Sequence, residues 1–520
     1  MRRSTNFSGA VLMLATLSLA GTVLACAAEP TVLGPDTSGV YVAPDVSKAD
    51  NYISTTAREF VLTGVAHATL PEGLDVLEGE ARDAAIQKAV DSRLSRVASA
   101  VKSHINAVMA PKNGGKTGEK EKWFVTARRN SAEADAFDVG ADGRARFEFE
   151  LELVGSVYLM SAVAPEDAST RSFELTVSDW SGDNTEQVQV VIAGSESRDA
   201  FPKYNELFAD GIFDIAIHFG GDYNEGRHDL ETAKWTVETL LDSGWAHASV
   251  GSYDELTIDS GPFTRQVTVE GRAVEMRVKI VHSDMSEDAN MVEAVDEARL
   301  SDSMKESLAM YDVIFYSGHA GEGSGFILDY QPKHEIKAAE FKDLEMPAKY
   351  QILVMDGCRT YRSYVDDIMA NPAKNWDNTD IVTTVNTTPF GAGYYVIWEF
   401  LNWFTLTNDA GEHFPLSWKT ILRGLNTDRY WNVHYGVHGI DNDPGLNPHK
   451  SDVACDPCSS DSDCGAGGNL CLGYGTGNGC GVACATDTAC PDGYRCARLI
   501  DDPELFYLPK QCVKRDHSCR

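Results

Sequence analysis

The chain has 520 residues, a formal net charge of −33 and a hydrophobic content of 43%. This length suits about three domains, and the composition is that of an ordinary globular protein. Because phosphate contacts need basic patches, the acidic balance excludes nucleic-acid binding as a main task. It fits a solvated acidic surface, and attraction to cationic partners or calcium stays open beside that interpretation.

The first 25 residues predict a signal for export. "MRR" is a basic start, and "GAVLMLATLSLAGTVLA" is the apolar stretch that follows it. Cys26 closes "VLAC", which is similar to a bacterial lipobox, so we expect removal of residues 1–25 and lipidation of Cys26. Ordinary cleavage nearby, with Cys26 incidental, is the alternative. Residues 26–52 are then a polar tether, and the protein is expected on a membrane in the periplasm or at the cell surface.

Two regions follow the tether. Residues 53–122 are predicted to be a helical region. The long helix within this region is expected to stop at Pro111. Its apolar positions at helical spacing are Leu77, Ala84, Ile86, Val90, Leu94, Val97, Val101 and Ile105. Residues 123–199 are predicted to be a small β domain, because "RARFEFELELVGSVYLM" begins with strict alternation. The β domain contains no catalytic grouping, so a packing or scaffold role is expected for it.

Residues 200–450 alternate between apolar strands and helices. The strands are "GIFDIAIHFGG", "VEMRVKIVHS", "DVIFYS", "YQILVMD" and "DIVTTV". Near-continuous apolar strands separated by helices predict an α/β fold with a parallel sheet covered on both faces. Ligands bind at the carboxyl ends of such strands. His218, His319, Cys358 and Asn386 all fall at or just past these ends.

Ten of the twelve cysteines lie in residues 451–520. An even, dense set in an exported chain predicts a disulfide-rich module with up to five bridges. Its cysteines are Cys455, Cys458, Cys464, Cys471, Cys480, Cys484, Cys490, Cys496, Cys512 and Cys519. A zinc site from "CDPC" is the weaker alternative, since "CGVAC" has the wrong spacing and histidine is scarce nearby. With Cys26 assigned to the anchor, Cys358 is predicted to be an unpaired thiol.

His319 and Cys358 both follow predicted strands, with 39 residues between them. That gap fits one crossover between neighbouring parallel strands, which would bring both side chains to the same sheet edge. An imidazole beside a thiol can generate the thiolate that acts as a nucleophile. Histidine before cysteine excludes the papain order, and "DGCRT" lacks the nucleophile elbow of α/β-hydrolases. The alternative is two ordinary packed residues at strand ends.

The two segments resemble those of a known family. "IFYSGHAG" is similar to the "YSGHG" stretch of metacaspases, and "VMDGCRT" is similar to their D-x-C segment and to the paracaspase version. Both groups belong to the caspase-like cysteine peptidases, together with gingipains and clostripain. The resemblance covers about residues 200–450 and is specific in these two segments. It implies a caspase-like three-layer sandwich and a cysteine-type endopeptidase.

The resemblance also implies roles for individual residues. Cys358 would be the nucleophile and His319 the general acid and base. The main-chain N–H groups of Cys358 and Ala320 would form the oxyanion hole. Asp356 would hold the basic side chain of the residue before the cut bond. The family has glycine where this chain has Ala320.

Four more residues are predicted to contact substrate because of their places after strands: His218, Asp222, Asn386 and Thr387. No metal site and no cofactor are predicted. Calcium activation, known in many metacaspases, has no recognisable site here and stays open. The predicted function is an exported endopeptidase that cuts proteins or peptides after Arg or Lys. The alternative is a catalytically idle surface lipoprotein that binds a partner, and the oligomeric state is not predicted.

Overall fold

The computed structural model describes most of the chain after the predicted signal and tether. The described residues are 50–113, 125–164, 170–179, 182, 184–195, 197–286, 293–320, 325–330, 333–426, 433–465, 467–500 and 507–519. The predictions for residues 1–25, for Cys26 and for most of the tether lie outside them. Within these ranges, no helix combines the length and the apolar character needed to cross a membrane.

The N-terminal part is an antiparallel sheet with a long helix on one face. A short strand, β1 (Ile53–Ser54), leads into β2 (Ala57–Thr69), α1 (Gly79–Met109), β3 (Val125–Val139), β4 (Arg144–Ser156), α2 (Val157–Met160), β5 (Thr170–Ser178) and β6 (Thr185–Gly194). The sheet order is β3-β4-β2-β6-β5. Alternation along β4 turns Phe147, Phe149 and Leu151 toward the buried stripe of α1, which includes Val90 and Val97.

This arrangement corrects the division at residue 122. The central strand β2 lies in the region that was expected to be helical, and it pairs with β4 and β6. Residues on both sides of the predicted boundary therefore share one core. The physical reason is that α1 has a single apolar stripe, which needs the face of a sheet to bury it.

The middle of the chain builds an eight-stranded sheet. Its elements are α3 (Tyr204–Leu207), β7 (Ile212–Phe219), α4 (His228–Asp242), β8 (Phe263–Val269), β9 (Arg272–His282), α5 (Glu293–Met310), β10 (Val313–Ser317), β11 (Phe326–Tyr330), β12 (Lys333–Ile336), β13 (Gln351–Asp356), α6 (Thr360–Ser363), α7 (Val365–Met369), β14 (Thr379–Thr384), α8 (Phe390–Phe404), α9 (Trp418–Leu425) and β15 (Tyr435–His438). The order is β1-β15-β14-β13-β10-β7-β9-β8. The prediction of an α/β protein with a mostly parallel sheet is confirmed.

Both faces of this sheet are covered, as the apolar strands require. Along β10, Phe315 packs into a core that includes Val237 of α4 and Phe400 of α8. The neighbouring Ile314 packs on the opposite face into a core that includes Leu308 of α5. The five inner strands run parallel, whereas β8, β15 and β1 pair antiparallel at the two edges. These antiparallel edges were not predicted.

The connection from β10 to β13 decides where the two segments of interest meet. The strands are parallel neighbours, with Ser317 opposite Asp356 in register. Among its described residues, the connection contains the hairpin β11–β12 and a 3-10 turn at Ala338–Asp343 instead of an α-helix. The single crossover predicted from the 39-residue gap therefore exists, although the expected helix does not.

The C-terminal module contains β16 (Cys471–Tyr474), β17 (Gly477–Cys480), β18 (Ala483–Cys484), β19 (Tyr494–Ala497) and β20 (Lys510–Lys514). Five disulfides join its ten cysteines: Cys455–Cys519, Cys458–Cys471, Cys464–Cys480, Cys484–Cys496 and Cys490–Cys512. The predicted disulfide-rich module is confirmed, and the zinc alternative is excluded for these cysteines. Its small core consists largely of half-cystines with Val453 and Val482, so the bridges replace a larger apolar core.

Replacing Cys464 and Cys480 together by alanine is expected to destabilise the module by about 2–5 kcal/mol, the usual effect of removing a disulfide from a small exported domain. Guanidinium unfolding of the module within the full chain measures this. The Cys458–Cys471 bridge closes a loop of similar length but is less buried. Removing that bridge is therefore the matched control, with a smaller expected loss. Equal losses for the two pairs would contradict the role given to burial.

Candidate active site

His319 and Cys358 lie at the carboxyl edge of the large sheet, just after β10 and β13. Both are buried, with 6% and 7% of their surface exposed. They line one small cavity together with Ser317, Gly318, Asp356, Thr388, Pro389 and Gly393. Its free volume is about 10 Å³, room for roughly one water molecule. The structure thus brings the two predicted residues together in a narrow site.

The imidazole of His319 is held by three side chains. Its ring stacks on Tyr223, with centroids 4.7 Å apart, and meets the ring of Tyr330 edge to face at 5.2 Å. Its Nε2 lies 3.5 Å from Oδ1 of Asp222, a residue that follows β7. Because β7 is the parallel neighbour of β10, three adjacent strands supply Asp222, His319 and Cys358. Asp222 was predicted to contact substrate, but the structure places it against the histidine.

Asp222 remains a carboxylate at neutral pH. Burial raises its pKa, but hydrogen bonds from His319, from the main chain and side chain of Asn224 and from the main chain of His228 outweigh burial. The resulting pKa lies below the ordinary value. A buried, charged carboxylate next to an imidazole can fix the orientation of the ring and stabilise its protonated form.

Cys358 is disulfide-bonded in this structure, and its partner lies outside the described residues. The prediction of an unpaired thiol was therefore wrong. Counting cysteines in the sequence left Cys358 alone, whereas pairing depends on which side chains meet in the fold. The sulfur lies 3.8 Å from the carbonyl oxygen of Thr388. Since only a thiolate is nucleophilic, chemistry at Cys358 requires reduction of this bond.

Asp356 forms the base of the cavity. Its Oδ2 accepts a hydrogen bond from the Ser317 hydroxyl at 2.8 Å, and its Oδ1 accepts one from the Tyr435 hydroxyl at 2.7 Å. Burial raises the pKa of Asp356 by more than these two hydrogen bonds lower it. The carboxyl group is thus buried and held in place by two hydroxyl groups.

The other predicted contact residues lie elsewhere. His218 lies in the core, where its Nε2 is 2.9 Å from the Ser307 hydroxyl and burial lowers its pKa to about 3. Asn386 accepts a hydrogen bond from the main chain of His434 and another from that of Arg359. It therefore supports the loop that carries Cys358. Thr387 is half-buried and does not line the cavity.

The residues that line the cavity next to Cys358 were missed. Thr388 and Pro389 begin the turn into α8, and Gly393 lies in the first turns of that helix. A signal was present, because "TTPFGAG" combines a helix start with two glycines after a strand. Sequence spacing alone does not show which of these residues faces the sheet edge.

Ala320 and Gly357 are in close contact. A Cβ atom added to Gly357 would lie 2.6 Å from the Cβ of Ala320 and 3.0 Å from the carbonyl oxygen of Gly318. The methyl group of Ala320 therefore leaves room only for a glycine before Cys358. The oxyanion role of the main-chain N–H groups of Ala320 and Cys358 stays a prediction.

Substituting Gly357 by alanine is expected to lower the rate at Cys358 by on the order of 10²-fold, because the clash displaces the nucleophile. The double variant Gly357→Ala with Ala320→Gly removes the 2.6 Å clash and is expected to recover most of that loss. Single-turnover rates of all four proteins form the double-mutant cycle. Purely additive effects would show that the two positions do not interact.

A buried polar network lies behind the Cys358 loop. The ligand atoms of Asp50, Glu59 and His438 lie within 4.8 Å of one another. His438 Nδ1 is 3.2 Å from Asp50, and the Tyr361 hydroxyl donates to Glu59 at 2.7 Å. Glu59 belongs to β2, so this network joins the N-terminal sheet to α6 beside the active-site loop. These contacts identify it as a hydrogen-bonded junction.

No protein-family model matches the chain, no curated protein is similar enough to match it, and no solved structure matches its fold. The molecule is thus described by its own features. It is an α/β protein with a mixed, mostly parallel eight-stranded sheet and a small disulfide-rich C-terminal module. The five disulfides of the module indicate an oxidising, extracytoplasmic compartment.

Proposed function

We propose that the protein is an exported cysteine endopeptidase of the caspase-like class that cuts after Arg or Lys. The observation that supports this most is the shared cavity of His319 and Cys358 at the ends of neighbouring parallel strands. Asp222, held against His319, adds the orienting carboxylate that a catalytic imidazole needs. The helices on both faces of the sheet are consistent with a caspase-like three-layer sandwich.

In the proposed reaction, the thiol of reduced Cys358 gives its proton to His319 and Sγ attacks the peptide carbonyl carbon. A thioester forms as the peptide C–N bond breaks. His319 transfers a proton to the leaving amine, and it then accepts one from the water that hydrolyses the thioester. The main-chain N–H groups of Cys358 and Ala320 stabilise the oxyanion. Asp356 pairs with the cationic side chain of the residue before the cut bond.

Two changes must precede this reaction. The disulfide of Cys358 must be reduced, and the cavity must open, because about 10 Å³ of space holds one water and not an Arg side chain. A protein that is exported in this closed and oxidised state would be inactive until a thiol reaches it. Lipidation of Cys26 would hold the peptidase at a membrane surface, and it requires that the sulfur of Cys26 takes no part in a disulfide.

The test is cleavage of fluorogenic peptides ending in Arg, Lys or a neutral residue by the full chain. Each peptide is assayed with and without a mild reductant and with and without calcium, and mass spectrometry reports the state of every cysteine. Cleavage of the basic peptides is expected only after Cys358 is reduced. The Cys358→Ala protein, treated identically, is expected to be inactive. Absence of cleavage with Cys358 reduced and the other disulfides intact would overturn the proposal.

A catalytically idle surface lipoprotein is the second candidate. The disulfide at Cys358 and the closed cavity favour it. Alkylation separates the two: a thiol activated by His319 is expected to react with iodoacetamide rapidly near neutral pH, and more slowly in the His319→Ala protein. An inert thiol in both proteins would favour the idle candidate.

A further inference from the structure

A second cavity, of about 530 Å³, opens at the start of α4 and the end of β9. It has no part in the proposed reaction. Its lining is unusual in combining aromatic and acidic side chains: Leu230, Glu231, Lys234, Trp235, Tyr253, Asp254, Leu256, His282 and Asp284. Its size is in the range of ordinary ligand sites. We refer to it as the β9 cavity.

The charges at the β9 cavity favour a cation. Glu231 and Asp254 are exposed on its rim, and Asp284 shares the guanidinium of Arg227 with buried Asp229. The four carboxylates carry four negative charges, and Lys234 and Arg227 carry two positive charges. The net charge of these groups is therefore −2. Such an excess of one sign attracts a ligand of the opposite sign.

The aromatic side chains favour an organic cation over a metal ion. Trp235 is 38% exposed although it is a large apolar residue, and it lines the β9 cavity with Tyr253. Indole and phenol faces attract Lys and Arg side chains by cation–π interaction, which adds to the carboxylate attraction.

His282 adds a buried polar atom to the lining of the β9 cavity. Its ring lines the β9 cavity, stacks on Tyr253 at 5.2 Å and is 6% exposed. Its Nδ1 has no hydrogen-bond partner among the described residues. Burial lowers the pKa of His282 to about 4, so the ring is neutral near pH 7 and does not repel a cation. Buried polar atoms in proteins are normally hydrogen-bonded.

The register of the sheet relates the β9 cavity to the active site. Asp356, Ser317, Phe219 and His282 are successive partners across β13, β10, β7 and β9. At about 4.8 Å between strands, His282 lies about 10 Å from Ser317 and about 15 Å from Asp356. An extended peptide advances about 3.3 Å per residue. A side chain about three to five residues from the cut bond therefore reaches the β9 cavity.

We propose that the β9 cavity binds a Lys or Arg side chain of the substrate, about three to five residues from the cut bond. The inference rests on the proposed peptidase function for the identity of its ligand. It gives the acidic lining a role in substrate choice that is separate from the role of Asp356.

The experiment compares peptides that carry either Lys or the neutral norleucine at each of these distances, on either side of one Arg cleavage site. Dissociation constants are measured with the Cys358→Ala protein, and kcat and KM with the reduced wild type. At one position, Lys is expected to bind on the order of tenfold more tightly than norleucine. This preference should decrease with salt and appear in KM more than in kcat.

The double variant Glu231→Gln with Asp254→Asn is expected to abolish this preference. Both residues are exposed, so the fold should tolerate the change. Asp242→Asn, an exposed residue of the same helix outside the β9 cavity, is the matched control and should keep the preference. Cleavage without a Lys preference at any position, or a preference that survives the double variant, would overturn the inference alone. Selective binding without cleavage would instead overturn the peptidase proposal.

Discussion

Replacing His319 by alanine is expected to lower kcat/KM of the reduced protein by on the order of 10³- to 10⁴-fold, because the variant loses the imidazole that is proposed to transfer the proton. Replacing Asp222 by asparagine should have a smaller effect, on the order of 10- to 10²-fold, since the amide keeps the shape but loses the charge that orients the imidazole. Steady-state kinetics on an Arg peptide measure both effects.

The pH dependence separates an electrostatic role of Asp222 from a merely structural one. The pKa of Asp222 lies below its ordinary value of 3.8, so the carboxylate is charged throughout the neutral range. The difference between wild type and Asp222→Asn should therefore persist from about pH 8 to about pH 5. The difference should shrink only as Asp222 becomes protonated below that range.

Glu225→Gln changes an exposed residue on the same loop. It is the matched control and should match wild type. A pH profile of Asp222→Asn parallel to wild type at all pH values would contradict the role.

Replacing Asp356 by asparagine is expected to lower kcat/KM for Arg and Lys peptides by on the order of 10²- to 10³-fold, because a buried cation would face a neutral amide. Peptides with a neutral residue before the cut should change little. The amide can still accept a hydrogen bond from Ser317 or Tyr435, so the fold should tolerate the change. Unchanged selectivity between basic and neutral peptides would show that Asp356 does not hold the substrate side chain.

Substituting Gly393 by alanine tests the same cavity by reducing its free space and leaving Asp356 unchanged. The added Cβ would lie 2.8 Å from the Ser317 hydroxyl oxygen and 3.5 Å from Oδ2 of Asp356, which fills the space that a basic side chain must enter. Alanine is a better helix former than glycine, so α8 should remain intact. Selective loss of the basic peptides is expected again, this time with the carboxylate present. If the Gly393→Ala protein keeps the wild-type KM for Arg peptides, the substrate side chain must bind elsewhere.

Some features follow from local patterns and were accessible without the fold. The apolar runs that became β7, β10, β13 and β14 predict buried parallel strands because no alternation is needed when both faces are covered. Strand ends then place His319 and Cys358 at one sheet edge. The ten clustered cysteines predict the disulfide-rich module, although their pairing cannot be deduced from the spacing.

Other features depend on contacts between distant segments. Asp222 lies 97 residues before His319 in the chain, and only the adjacency of β7 and β10 brings the carboxylate to the imidazole. Thr388 and Gly393 line the cavity because α8 packs over the same sheet edge. The bonded state of Cys358 was not accessible from the number and spacing of the cysteines.

Local patterns and composition were sufficient to predict the α/β class, the disulfide-rich module and the two segments that carry the candidate nucleophile and base. Strand burial and cysteine density are local or compositional properties, so they can be recognised without the fold. Long-range contacts were needed to show which carboxylate lies against His319, how narrow the cavity is, that Cys358 is bonded, and that the β9 cavity lies in register with the candidate active site. Those are properties of side chains brought together by strand order, and strand order results from long-range packing that no local pattern contains.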